Sequence, residues 1–457
     1  MPVIAPISPT STISPTSSTS PIEPLASIPP LPPFAPLPLI RAQTLPPTAA
    51  AAAKAPMSAG LVVVILSVLL GIQPVTTDLY LPALPALTEG LGANMSQAQL
   101  TLSALLLAFG VSQLIWGPLS DRFGRRPVLL CGLAAYALAS LATTWAPSIS
   151  HLIVWRMVQG AAMGAVVMCA RAIVRDLYLP TDGARIMSQG LSGLGLMACI
   201  CGPLGGLLSE VFGWRAALMA PALFGCGALA LITLRFKETL HSKNPQALHP
   251  ATMLRVWRQI FSNPSFLAYS ALSAASYGGL FTFLATSSFV FIKVLGLSKT
   301  QYGLVMLLTT SFYLLGTFIC RQLLPRFGLT KSIAIAAWLS LAGGTLMGAL
   351  AWAGVHNLWA IIIPQALYLV GHGVHQPCGQ SGAIGPFPTS AGAASAVNGF
   401  LMMVVAFGMG GWLGHHADAS VYTLTNGIWF WSVVIAVVAW TAIKKYCEPG
   451  NTPSAQT

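Results

Sequence analysis

The sequence predicts an all-α membrane protein of twelve transmembrane helices in two six-helix pseudo-repeats, and three observations carry that expectation. Of the 457 residues 55% are hydrophobic and only 7% charged, with a mean hydropathy of +0.74, whereas soluble domains carry about a quarter charged residues. Apolar runs of about 20 residues, the length that crosses a bilayer, recur along most of the chain. Finally, Arg122-Phe123-Gly124 after the second run returns as Arg326-Phe327-Gly328 after the eighth, 204 positions later (326 − 122). Agreement of register across several spans at one shift is the mark of parallel repeats.

Residues 1–56 precede the first run and are of a different composition. They hold 15 of the 34 prolines among Ser, Thr and Ala, with only Glu23, Arg41 and Lys54 charged. Such a tract buries no core and is expected to be disordered. It lacks the pattern of a signal peptide and is too poor in arginine for a transit peptide. Met57 stands directly before the first run, so a translation start there is as good an expectation as any role for the tail.

The runs fall near 60–82, 98–119, 127–146, 152–174, 187–208 and 215–234, then 264–292, 302–320, 331–353, 358–378, 394–413 and 426–443. An even number of crossings puts both termini on one side. All but four of the 22 lysines and arginines then lie on that side, the exceptions being Arg156, Arg215, Lys293 and Lys299. The positive-inside rule makes the terminus side cytoplasmic. The expected division is a tail at 1–56, a first half at 57–234, a linker at 235–263, a second half at 264–445 and a short tail at 446–457. The copies differ in charge: Asp121 is matched by Pro325, and Asp78 by Thr282.

A net charge of +12 raises the question of nucleic acid. The basic residues are dispersed among loops rather than gathered into a patch, which is the pattern of topology determinants. No nucleic-acid partner is expected. The eight cysteines sit mostly within apolar runs without paired loop spacing, so neither a disulfide framework nor a metal site is predicted. No cofactor is expected either. The chain shows no His-Glu-x-x-His, no Ser/His/Asp set and no phosphate-cradling loop, which argues against an enzyme. A channel is disfavoured by the lack of a charged ring or filter repeat.

Asp78 stands out at the far end of the first run, because few carboxylates are retained in bilayer without a task. Apolar residues resume beyond it with Tyr80, Leu81, Leu84 and Leu87, which argues against a solvated helix cap. Arg156, a turn inside the fourth run, wants an anion and lies at a similar depth, so Asp78 is its candidate partner.

Three stretches carry a family resemblance. Gly117-Pro118-Leu119-Ser120-Asp121-Arg122-Phe123-Gly124-Arg125-Arg126-Pro127 resembles the loop signature of the major facilitator superfamily, with every characteristic position filled. The resemblance implies that this loop latches the two halves together on the cytoplasmic side. Physically, Asp121 can accept from helix-terminal N–H groups while the arginines meet an anionic membrane surface. Arg156-Met157-Val158-Gln159-Gly160 resembles the family's Arg-x-x-Gln-Gly signature, which implies a part in proton transfer. Gly202-Pro203-Leu204-Gly205-Gly206 resembles the family's antiporter signature. It lies on a seam of small residues (Ser188, Ser192, Gly195, Cys199, Gly202, Gly206, Ser209) suited to close helix contact.

Thr77-Asp78-Leu79-Tyr80-Leu81-Pro82, Arg171-Ala172-Ile173-Val174-Arg175-Asp176-Leu177-Tyr178 and Phe387-Pro388-Thr389-Ser390-Ala391-Gly392 narrow the likeness. They resemble the bicyclomycin/chloramphenicol-resistance (Bcr/CflA-type) drug–proton antiporters. The resemblance spans about 60–445. It implies a multi-pass carrier of the bacterial inner membrane, working as a single chain among lipids, that exchanges protons for small amphipathic drugs. Export of an endogenous metabolite by the same machinery is the alternative.

Asp78 and Arg156 are the expected proton-coupling pair. Gly117, Asp121, Arg122, Gly124, Arg125 and Arg126 form the expected latch. Tyr80, Tyr277, Phe281 and Phe283 are expected cavity walls. His372 and His375, an i, i+3 pair in the tenth run, depart from the subfamily pattern. They read as cavity-lining or packed histidines rather than metal ligands, with Cys378 the sole nearby third donor.

Overall fold

The computed structural model describes residues 57–178, 180–240, 243, 249–387, 390–415 and 420–447, so the expected tail at 1–56 and residues 448–457 lie outside the described residues. Helix follows helix: α1 (Ala59–Thr77), α2 (Leu84–Gly90), α3 (Met95–Phe123), α4 (Arg125–Thr144), α5 (Ile149–Leu177), α6 (Pro180–Val211) and α7 (Trp214–Arg235). After them come α8 (Pro250–Phe261), α9 (Pro264–Phe289), α10 (Lys299–Trp352), α11 (Leu358–Ile384), α12 (Ala391–His415), α13 (Tyr422–Val438) and α14 (Lys444–Cys447). Among the described residues, eleven helical stretches are long and apolar enough to cross a membrane.

The twelfth crossing is hidden inside α10. Its 54 residues would extend about 81 Å at 1.5 Å per residue, far beyond the roughly 30 Å of a bilayer core. Gly328, with φ 72° and ψ −179°, breaks it into two arms, 299–327 and 329–352. Gly124, its counterpart in the first copy, separates α3 from α4 with φ 111° and ψ 159°. The repeated Arg-Phe-Gly thus makes the same kind of turn twice, in a backbone region that side chains rarely adopt.

Two boundaries differ from the sequence reading. The first apolar run is broken after Thr77 by a turn and the 3-10 segment Leu81–Ala83, and continues as α2 to Gly90. Pro82 and Pro85, which lack an N–H to continue the ladder, sit in the first turns of the 3-10 segment and of α2. The linker also contains a helix that the hydrophilic pattern did not reveal: α8 carries Arg255 and Arg258 on a strongly one-sided apolar pattern and buries Ile260.

Within the first half α3 and α4 pack on α5, α1 on α6 and α4 on α7. In the second, α10 packs on α11 and α13, and α9 on α11, α12 and α13. The two most extensive contacts between the halves are α3 with α12 and α6 with α10. The repeat shift lays α3 on the first arm of α10 and α6 on α12, so these are one contact related by pseudo-symmetry.

The halves meet on the side opposite the terminus side, the one that holds Ala59, where α1 begins, and Cys447, where α14 ends. A Cβ on Gly202 would lie 2.7 Å from Met306 Cβ, and one on Gly303 2.6 Å from the Gly202 carbonyl, so α6 and α10 touch backbone to backbone. On the other seam a Cβ on Gly410 would lie 2.5 Å from Ser103 Cβ. Three polar contacts close the same side: the Thr300 N–H donates to Glu210 Oε2 at 2.8 Å, Lys299 Nζ donates to the Ser209 carbonyl at 3.1 Å, and Lys293 pairs with Glu89.

Candidate functional site: a central cavity between the halves

On the terminus side the halves part. A vestibule of about 590 Å³ opens between α3, α5, α8 and α12, with Asp121, Arg125, Arg175 and Trp257 in its walls. Deeper in, a central cavity of about 300 Å³ is lined from both halves. Gln113, Arg171 and Ser395 line both spaces and so mark the neck between them. A larger concavity of about 830 Å³ lies elsewhere, among α10, α12 and α13; Trp352, Trp412, Trp429, Phe430 and Trp431 make it almost wholly apolar. Its chemistry suits hydrocarbon rather than a charged cargo, so the central cavity is the candidate site.

Asp78 lies in that wall, half-buried at the C-terminal cap of α1, and is the one carboxylate among the cavity's described lining residues. Thr77 Oγ1 hydrogen-bonds to its Oδ1 at 2.8 Å. Its own N–H donates to the Pro74 carbonyl at 2.8 Å, so the residue is held by the helix end rather than released into a loop.

Arg156 is fully buried nearby but makes no ion pair with Asp78. Its Nη1 donates to the Thr76 carbonyl and to Gln159 Oε1, both at 3.1 Å, and its guanidinium stacks on the Tyr80 ring at 3.9 Å. Nε and Nη2 have no partner. Gln159 in turn donates to Ser140 Oγ at 2.7 Å. A Cβ on Gly160 would sit 2.1 Å from the Leu105 carbonyl, so the glycine of this signature lets α5 touch α3. The anion expected for Arg156 is replaced here by a carbonyl, an amide and an aromatic face.

The expected cavity walls divide. Tyr277, His372 and Phe283 line the cavity; Tyr80, Phe281 and His375 do not. Tyr80 is fully buried beneath Arg156, its hydroxyl hydrogen-bonded to Thr101 at 2.6 Å. Phe281 is also fully buried, packed toward α12 beside Gly410. The stripe that α9 presents to the cavity is Tyr277, Leu280, Phe283 and Leu284, at helical spacing.

The two histidines part company as well. His372 Nδ1 bonds Ser276 Oγ at 2.8 Å with its ring beside Tyr313, whereas His375 Nε2 reaches the Ile333 carbonyl at 3.4 Å. Spacing of i, i+3 leaves about 60° between side chains, enough here for different neighbours. No group of three metal-ligating residues occurs among the described residues; Cys378 instead lies 3.6 Å, sulfur to sulfur, from Cys320.

The signature that reads as a loop is two helix ends and one glycine. Asp121 is in the last turn of α3 and Arg125 opens α4. Buried Arg125 pairs with Asp121 at 2.7 Å and with Asp176 at 2.8 Å, and donates to Ser120 Oγ at 2.6 Å. The helix-capping task expected of Asp121 falls to Glu238, three residues past the end of α7. Glu238 accepts the backbone N–H groups of Arg125 and Arg126 at 3.0 Å, and those of Thr239 and Leu240. Burial works to raise its carboxyl, but these four donors prevail and hold it below the usual carboxylate range. All these contacts stay within the first half and the start of the linker.

Residues 66–411 match the description of the Major Facilitator Superfamily. The chain belongs to that superfamily. It is 30% identical over 339 residues to multidrug resistance protein D of Escherichia coli, covering 74% of this chain and 84% of that one. The bicyclomycin resistance protein homolog of Haemophilus influenzae is 26% identical, with 76% and 86% covered. The chloramphenicol resistance protein of Pseudomonas aeruginosa is 27% identical, with 70% and 75% covered. Among solved structures, the partially occluded inward-open xylose transporter XylE from E. coli superposes with a TM-score of 0.68 at 11% identity, over 85% of this chain and 98% of that one. That likeness concerns the fold of a superfamily carrier alone.

The sequence reading missed Gln113, Gln376, Gln380 and Asn398, which bring amides to the cavity wall, and did not assign Arg171 to it. The signal was present for all but Gln380, which lies past the tenth run: each of the others is a polar residue inside an apolar run, the class that lines cavities in membrane proteins.

Proposed function

We propose that this superfamily carrier exports small amphipathic drugs in exchange for protons, by rocking the segments 57–234 and 264–445 about the central cavity, with 235–263 as their tether. The observation that carries the reading is Asp78, the lone described carboxylate in a cavity walled by both halves and closed toward the far side. The relatives named for multidrug, bicyclomycin and chloramphenicol resistance support the cargo class.

In this reading the terminus side is cytoplasmic, the membrane is the bacterial inner membrane, and a single chain is the working unit. Substrate enters through the vestibule and neck, and its arrival releases the proton from Asp78 inward. Opening of the far side lets substrate leave and a new proton load. Each proton entering at 100 mV contributes about 2.3 kcal/mol. Arg156, anchored on the carbonyl two residues before Asp78, ties the acid's helix end to α5. Gly202, Pro203, Gly205 and Gly206 supply the far-side seam. Asp121, Arg122, Arg125 and Arg126, with Gly117 and Gly124, form the latch that engages the second half when the vestibule shuts.

The test is expression in an efflux-deficient host, with susceptibility read over a panel that includes chloramphenicol and bicyclomycin, beside drug-driven proton movement in everted vesicles. Raised resistance and proton movement in the parent, both lost in Asp78→Asn, are expected. Resistance that survives Asp78→Asn with proton movement intact overturns the assignment of the acid.

A further inference from the structure

The neck holds a cation without a counter-ion. Arg171 is half-buried in α5, and none of the ion pairs formed by the described residues includes it. Among the described residues its one hydrogen bond crosses between the halves, from Nη1 to Ser395 Oγ at 3.2 Å. An arginine within a membrane-spanning helix is costly and is usually satisfied by a carboxylate. Here the guanidinium keeps donors to spare, and it faces a space that anything passing from vestibule to cavity must cross.

A second observation points to a ligand at the same place. Asn398, one turn along α12 from Ser395, lines the central cavity, is only 3% exposed, and its Oδ1 has no partner. Its Nδ2 finds only Met402 Sδ at 3.9 Å, a weak acceptor. Gln113 reaches the neck from α3 and lies against Gly399, whose Cβ would stand 3.1 Å from Gln113 Oε1. Gln113 Nε2 donates to the Phe109 carbonyl at 3.4 Å, so Asn398 is the amide left poorly satisfied here. A buried group of that kind is a site where a polar guest gains what the protein has forgone.

Depth separates this cluster from Asp78. Arg156 reaches the Thr76 carbonyl, and Arg171 lies 15 residues farther along α5, about 22 Å at 1.5 Å per residue. The cavity therefore has two poles, an acid toward its closed end and a guanidinium at its neck. The wall between is largely apolar, with Tyr277, Leu280 and Met402.

We infer that Arg171, with Asn398 and Gln113, forms a subsite for the hydrogen-bond-accepting head of an amphipathic substrate (sulfonate, carboxylate, nitro or carbonyl), and that it makes the cavity prefer such molecules to lipophilic cations. The inference rests on the central cavity being the substrate site. Charge-assisted hydrogen bonds of this kind contribute about tenfold or more in affinity, and a like charge at the neck disfavours a cation.

The experiment is equilibrium binding to the purified full chain in nanodiscs, without any gradient, using a matched pair of fluorescent probes. These are 1-anilinonaphthalene-8-sulfonate and N-phenyl-1-naphthylamine, the same skeleton without the sulfonate. In the parent the sulfonate should bind about tenfold tighter. Arg171→Gln should abolish that preference while leaving N-phenyl-1-naphthylamine within about twofold, and Arg171→Lys should retain part of it. Binding of tetraphenylphosphonium should rise in Arg171→Gln, a gain that a merely misfolded variant cannot show. Leu280→Trp, which fills the cavity, separates the two ideas. If it leaves both dyes bound as before, the central cavity is not the site and the functional reading fails with the inference. If it expels both dyes while Arg171→Gln keeps the sulfonate preference, the inference alone is overturned.

Discussion

Glu238 fills the space that a side chain at position 124 would need: a Cβ built on Gly124 would lie 2.6 Å from Glu238 Oε2. Gly124 also has φ 111°, so the turn between α3 and α4 excludes a side chain twice over, by conformation and by the carboxylate that caps α4. This corner joins the signature to the linker, and through it to the second half.

Its first consequence concerns pH. Glu238 titrates below its ordinary range because backbone donors stabilise the carboxylate. Its contribution is therefore complete above the unfolded value, about 4.3, and lost as pH falls through the lower folded value. Glu238→Gln should lower Tm at neutral pH by the equivalent of about 1 kcal/mol or less, since the group is exposed to solvent. Parent and variant should converge as the medium is acidified below pH 4. A difference in Tm that persists unchanged into acid would show that the cap owes nothing to charge.

The second prediction weighs the two carboxylates on Arg125. Side-chain exposure is 39% for Asp121 but 11% for Asp176. Replacing Asp176 with Asn should be the more destabilising change, because it weakens the more deeply buried partner of a buried guanidinium. Asp121→Asn should leave stability nearly intact, yet slow turnover by altering the balance between conformations. Thermal unfolding beside transport rate and cysteine accessibility on both sides checks the pair. Equal Tm losses in the two variants would contradict the burial argument.

Much of this was legible in the sequence, for physical reasons that also explain the gaps. Apolar length and the Arg-Phe-Gly repeat reveal twelve crossings, since the bilayer forces helices of fixed span and the repeat forces the same turn at Gly124 and Gly328. Asp78 is legible because a carboxylate within an apolar run has few benign explanations. Side-chain direction is harder. Phe281 and Tyr277 are equivalent to a reader counting aromatics, but one faces α12 and the other the cavity. Contacts across distant segments, such as Glu238 on α4 or Arg156 on Tyr80, depend on packing angles that no local pattern encodes.

The third prediction addresses the far-side seam. A Cβ at Gly303 would meet the Gly202 carbonyl at 2.6 Å, and that oxygen is backbone, which has little freedom to retreat. Gly303→Leu should therefore destabilise the state with the far side closed and raise the population open there, while each half still folds. Spin-label distances between α6 and α10 on that side should lengthen, and a far-side cysteine should react faster. Unchanged distances would mean that the seam yields without opening.

The last prediction returns to Arg156. Two of its nitrogens are buried without a hydrogen-bond partner, a cost of up to about 1–3 kcal/mol each that the Tyr80 ring beneath the guanidinium offsets in part, so this arginine adds little net stability. Arg156→Met should therefore raise Tm or leave it unchanged, even though it removes the contacts to Thr76, Gln159 and Tyr80. Transport should nevertheless stop, because the tether between α5 and the end of α1 that carries Asp78 is gone. Asp78→Asn should also stop proton-coupled transport, for a different reason, and should still bind substrate without releasing a proton. Since Arg156 holds the helix end that carries Asp78, their effects on Tm should depart from additivity by about 0.5 kcal/mol or more in the double variant, even without a direct ion pair. Their effects on transport cannot add, each alone being sufficient to abolish it. Purified single and double variants, assayed for Tm, substrate binding and substrate-induced proton release, check every part. A marked fall in Tm for Arg156→Met would show that the guanidinium is a structural pillar. Proton release that persists in Asp78→Asn would move the proton to another cavity group, with His372 first in line.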